Sequence, residues 1–220
     1  MTPTITREPL LSASAPSLLA SEGDAVVKRL APLFFVSGVA ALVYQVCWQR
    51  LLFAAFGVDI DSVTIIVSVF MLGLGLGALV GGDLADRRPV QALRFFAVAE
   101  FGIGIFGVFS PTLIRTVGAM FVGAPQWQIA IANFVLLLFP TCLMGATLPI
   151  LVAHVTRLWG NVGKSIGLLY QVNTFGAAFG VAFVGFVWLL FFELDDAIRT
   201  AAILNIGVSI LTLSWVKRHG

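Results

Sequence analysis

Apolar residues run along this chain in six long stretches, roughly 31–51, 62–82, 92–112, 128–150, 166–190 and 197–216, with polar residues gathered between them. A helix rises about 1.5 Å per residue, so some 20 apolar residues cross the hydrocarbon core of a bilayer. Each stretch meets that length. The ten-residue alternation of a membrane barrel is absent. The pattern predicts an all-α integral membrane protein with six transmembrane helices, and a composition of 59% hydrophobic against 11% charged residues agrees.

The same pattern divides the 220 residues into three parts. Residues 1–30, rich in Ser, Ala, Pro and Thr, hold no helix or strand period and read as a disordered cytoplasmic tail. They lack the basic start, long apolar core and cleavage site of a signal peptide. Residues 31–216 form the membrane domain, and 217–220 a short cytoplasmic C-terminus. Cys47 and Cys142 fall inside spans at different depths, so no disulfide is expected between them.

Charge decides orientation. With alternate loops on opposite sides, ten of the 13 Lys and Arg residues share one face, and only Arg50, Arg115 and Arg199 lie on the other. The positive-inside rule puts the basic face, and both termini, in the cytoplasm. Asp59, Asp61, Glu193, Asp195 and Asp196 then line the outer face. A basic excess used for topology gives no reason to expect a nucleic-acid partner.

Within the second span, Gly73, Gly77 and Gly81 recur four residues apart. That spacing sets them on one helix face, where a neighbouring backbone can approach closely. The span is expected to stop at an acidic-then-basic turn, Gly82-Asp-Leu-Ala-Asp-Arg-Arg88.

This turn resembles the cytoplasmic loop joining the second and third helices of the major facilitator superfamily. The resemblance marks Asp83, Asp86, Arg87 and Arg88 as gating-loop candidates. A closer resemblance covers nearly all the chain after residue 30: Ser37-Gly-Val-Ala-Ala-Leu-Val-Tyr-Gln-Val-Cys-Trp-Gln-Arg-Leu-Leu52, Ala99-Glu100, Pro140-Thr-Cys-Leu-Met-Gly-Ala-Thr-Leu-Pro149 and Leu169-Tyr-Gln-Val-Asn-Thr-Phe-Gly-Ala-Ala-Phe-Gly180. Together these look like the membrane region of fused transporter-like spermidine synthases. The resemblance implies half of a major-facilitator-like bundle in a bacterial inner membrane. In that family a cytoplasmic aminopropyltransferase domain commonly follows. Its catalytic positions have no counterpart here, so no enzyme activity and no cofactor are expected. Where the family often carries a glutamate after the tyrosine of the first helix, this chain has Gln45.

Ionisable residues deep in lipid are costly and default to functional hypotheses. Glu100 lies about 12 Å into the third span by helical rise. Counted the same way, Asn173, Ser37 and Thr147 fall near its depth, where Glu100 could accept hydrogen bonds from Asn173 and a hydroxyl or hold a proton. A second level nearer the outside takes Gln45, Asn133 and Asn205, with Tyr44 and Trp48 beside it. Two polar layers suit a substrate route, and they equally suit interhelical hydrogen bonds that only fix packing, worth about 0.6 kcal/mol each. Arg50 is expected to snorkel to the outer interface. His154 has no second His or Cys near it and predicts no metal cluster. Pro140 and Pro149 each free a carbonyl one turn earlier in the fourth span.

Six helices amount to half of a transporter whose path runs between two halves. Besides the lipid bilayer, the expected partner is therefore a second copy or another membrane subunit, and the expected cargo a small organic cation such as a polyamine. The competing expectation is a non-catalytic anchor or assembly subunit, for a larger complex or a separately encoded aminopropyltransferase. Its docking surfaces would be the glycine faces of the second span and of Gly176 and Gly180.

Overall fold

The computed structural model describes residues 14–56 and 60–219. The expectations for residues 1–13, for Asp59 and for Gly220 lie outside the described residues. Among the described residues every regular element is helical: α1 (Ser14–Phe56), α2 (Ile60–Arg87), α3 (Ala92–Met120), α4 (Gln126–Trp159), α5 (Val162–Phe183) and α6 (Leu194–His219). A three-residue 3₁₀ turn, Pro89–Gln91, leads into α3. A π-helical stretch, Val184–Trp188, and a last turn, Leu189–Phe191, prolong α5. Six segments are long and apolar enough to cross a membrane, matching the six expected stretches one for one.

The helices outrun the apolar stretches. Hydropathy marks what lies in hydrocarbon, whereas a helix continues until its end groups find other partners. Thus α1 begins at Ser14, inside the segment that the sequence left without a helix period. Likewise α2 runs through the expected turn to Arg87, where Asp83 and Arg87 pair at i,i+4 with 2.9 Å between Oδ1 and Nε. The break between α4 and α5 is sharper. Gly160, at φ +64°, donates its N–H to the Thr156 carbonyl at 2.7 Å, and Asn161 Oδ1 caps α5 by accepting from the Lys164 N–H at 2.9 Å. Pro140 and Pro149 sit within an uninterrupted α4.

The principal helix pairs are α2 with α4, α1 with α5, and α3 with α6. Glycine makes the first possible. Cβ atoms built on Gly73, Gly77 and Gly81 would collide with Thr141, the Cys142 backbone and Ala146 of α4, and one on Gly145 with Leu74 of α2. The expected close approach is therefore present, and its partner is α4. Gly176 and Gly180 meet the backbones of Phe35 and Val39 in α1. These two faces are filled by the chain's own helices and are not the open docking surfaces expected from the sequence.

The interior separates into two apolar cores. One gathers Tyr44, Trp48, Phe70, Ile103, Leu137 and Ile198, the other Leu30, Phe34, Phe96, Ile150, Leu151 and Leu169. Along α1, α3 and α6, both cores stop short of residues 37, 100 and 205.

Candidate functional site

A polar waist fills that gap. Glu100 of α3 is fully buried, with 0% of its surface exposed. Ser37 Oγ of α1 donates to its Oε1 at 2.6 Å, and Asn205 Nδ2 of α6 donates to its Oε2 at 2.5 Å. One turn further along α6, Ser209 Oγ donates to the Ala97 carbonyl at 2.7 Å, a second link from α6 to α3. One carboxyl group thus joins three helices, and both its hydrogen-bond partners are neutral. The site can hold one positive charge, as a proton or as a ligand cation.

The sequence singled out Glu100 and Ser37, and the structure brings them together. The other expected partners are elsewhere. Asn173 lies against Gly38 of α1, where a Cβ would stand 2.9 Å from its Oδ1. Thr147 turns its hydroxyl back to the Met144 carbonyl of its own helix, at 2.8 Å. Gln45 is half-buried on α1, and Asn133 is buried on α4 with its Oδ1 unpartnered. Asn205, assigned by depth to the outer layer, is the second ligand of Glu100. The signal for it was Asn205, Ser209 and Thr212 at i, i+4 and i+7, one polar face in the apolar middle of the helix. All three are buried.

From the waist toward the C-terminal end of α1, Tyr44 stacks on Trp48 with ring centroids 4.6 Å apart. Trp48 Nε1 donates to Ser110 Oγ at 2.8 Å, and that hydroxyl donates to the Gly107 carbonyl at 2.9 Å. The Tyr44 hydroxyl is sealed in the interior without a partner, in the space that a side chain at Gly107 would occupy. Near the C-terminal end of α3 and the start of α6, Arg115 grips Asp195 with two parallel bonds of 2.7 and 2.8 Å. At the C-terminal end of α2, Asp83, Asp86, Arg87 and Arg88 are exposed, and the ion pair among them stays within one helix.

Two cavities lie away from the waist. One of about 510 Å³ lies between α3 and α4 and is lined by Phe121, Trp127, Gln128, Ile131 and Val135. A second, of about 220 Å³, lies over the glycine seam beside Gly77, Gly81, Ala99 and Ala146. Glu100 lines neither. Cys47 and Cys142 form no disulfide. Among the described residues no three His, Cys, Asp or Glu side chains come together as metal ligands.

Fold and site together define a polytopic helical membrane protein with a sealed acidic centre. Comparison with known proteins adds one relative. The chain is similar to the polyamine aminopropyltransferase of Oceanobacillus iheyensis, at 23% identity over 199 residues. That match takes in 89% of this chain and 37% of the relative's length. No protein-family profile matches the chain, and no solved structure does. The match corrects one expectation. The chain was expected not to be an enzyme because the resembled catalytic domain has no counterpart here, yet the relative it matches carries an enzyme's name. Absence of catalysis therefore does not stand as a conclusion.

Proposed function

We propose that this chain is the membrane unit of a system that binds and moves a small organic cation of the polyamine class, with Glu100 as the charge that receives it. The observation that carries this reading is a lone carboxyl group in an apolar interior, ligated only by Ser37 and Asn205. Such a group is expensive to bury and has no cation of its own. The name of the Oceanobacillus relative supplies the substrate class. The unit corresponds to half of a major-facilitator-like bundle, with both termini on the cytoplasmic side of a bacterial inner membrane. Ten of 13 basic residues on that face support the orientation. A second copy or another membrane subunit completes the path.

The test is uptake of a radiolabelled polyamine into proteoliposomes. Uptake that Glu100→Gln abolishes supports the reading. Failure to take up any amine, or uptake unchanged in Glu100→Gln, overturns it.

A further inference from the structure

We infer that the Glu100 site is a proton-binding site whose proton is exchanged for the organic cation. This deepens the transport reading above and rests on it for the identity of the competing cation. In the closed arrangement Glu100 has no exposed surface, so no amine has access to it. Its immediate partners bring no charge, because Ser37 and Asn205 are both neutral. Charged groups on the helices around it stand toward the helix ends: Asp24, Lys28, Arg29 and Arg50 on α1; Arg94 and Arg115 on α3; Arg157, with His154 one turn before it, on α4; Asp195, Asp196, Arg199, Lys217 and Arg218 on α6. Along their axes even the nearest, Arg94 and Arg199, are about 9 Å from residues 100 and 205. Among the described side chains, Tyr44, Cys47 and Cys142 are the other titratable ones on these helices, and each is neutral when protonated.

The ligand set selects a proton over a metal cation. A metal cation would require about six oxygens converging on one point, and Glu100, Ser37 and Asn205 together bring at most four, Oε1, Oε2, Oγ and Oδ1. The amide oxygen, Asn205 Oδ1, is buried and has no partner. Turning the amide by half a rotation lets the same side chain serve both protonation states of Glu100. With Glu100 ionised, Asn205 Nδ2 donates to Oε2. With Glu100 protonated, the Glu100 O–H becomes the donor and Asn205 Oδ1 accepts. The O–H bond breaks when α1, α3 and α6 part. The proton leaves to water, and the amine's positive charge takes its place beside the carboxylate. One carboxyl group holds one positive charge at a time, so exchange is one for one.

Two measurements on the full chain test this. Infrared difference spectra of the protein in nanodiscs should show a protonated-carboxyl stretch that titrates with pH, is lost in Glu100→Gln and shifts in Asn205→Ala. In proteoliposomes whose membrane voltage is clamped near zero by valinomycin and equal K⁺ on both sides, so that the extra charges of the polyamine are balanced by K⁺, a pH gradient, acidic inside, should drive polyamine accumulation about tenfold per pH unit for one-for-one exchange. Nigericin should collapse it. If uptake occurs but ignores the pH gradient, the proton inference falls and the transport reading stands. If a titrating band is lost in Glu100→Gln but no amine is taken up, the proton site stands and the amine falls. Should Glu100→Gln fail to fold, the Asn205→Ala shift decides, and an unshifted band overturns the inference.

Discussion

Replacing Gly77 with alanine adds a single methyl group to a helix in which alanine is the better helix former, yet it should unfold part of the protein population. A Cβ at this position would stand 2.8 Å from Cys142 Cα and 2.7 Å from the carbonyl carbon of the same residue. Ordinary contact begins near 3.4 Å and the Cys142 carbonyl oxygen is nearer still, so α2 and α4 must part by more than about 0.7 Å. Each well-packed atom pair contributes about 0.1–0.2 kcal/mol, and a gap of that size forfeits a quarter or more of it. Across the Gly73, Gly77, Gly81 and Gly145 seam some tens of pairs loosen together. The expected loss is about 1–3 kcal/mol, the usual cost of overpacking. Gly75 is the control: a Cβ there meets nothing within 4 Å. Gly75→Ala should stay within about 0.5 kcal/mol of the parent. Unfolding in mixed micelles at increasing SDS fraction, followed by circular dichroism, gives both values. Equal midpoints for the two variants would refute the idea that glycine acts here through close approach.

Arg115 and Asp195, with side chains 54% and 21% exposed, should couple by about 0.5–1 kcal/mol in a double-mutant cycle, less at high salt. Ser110→Ala strands the buried Trp48 indole N–H and should cost about 1–3 kcal/mol in the same SDS assay; no measurable loss would refute the hydrogen bond's role. For orientation, Arg88→Cys should react with an impermeant maleimide only from the cytoplasmic side of membrane vesicles, and Glu193→Cys only from the outside. The reverse pattern would invert the topology.

What the sequence made legible was axial position. Runs of apolar residues count out spans, and a four-residue glycine repeat names a helix face whatever that face meets. Rotation about the axis was harder to read. Ser37 and Gly38 are neighbours in sequence but about 100° apart around α1. Ser37 reaches Glu100, whereas Gly38 packs on Asn173. Depth alone placed Asn173 beside Glu100, and depth cannot tell these two sides of α1 apart. The error over Asn205 was one of origin. Counted from the apolar stretch at 197 it sits too near the outside, but α6 begins at Leu194, which puts Asn205 about 16 Å along its helix.

The same difference explains why the waist escaped a reading based on hydropathy. Asn205, Ser209 and Thr212 are dilute enough to leave their span apolar on average, yet they share one face and all turn inward. In lipid the driving force to bury apolar surface is weak, and unpaired polar groups are what a helix most needs to cover. The polar face of α6 therefore sets how it docks on α3, and Glu100 stands where that face can meet it. If so, Asn205→Leu should loosen α6 from α3 more than an apolar substitution of similar size at the outward-facing Ile210. Crosslinking yield between cysteines introduced on α3 and α6 would register the difference, and equal yields would mean that apolar packing alone holds the pair.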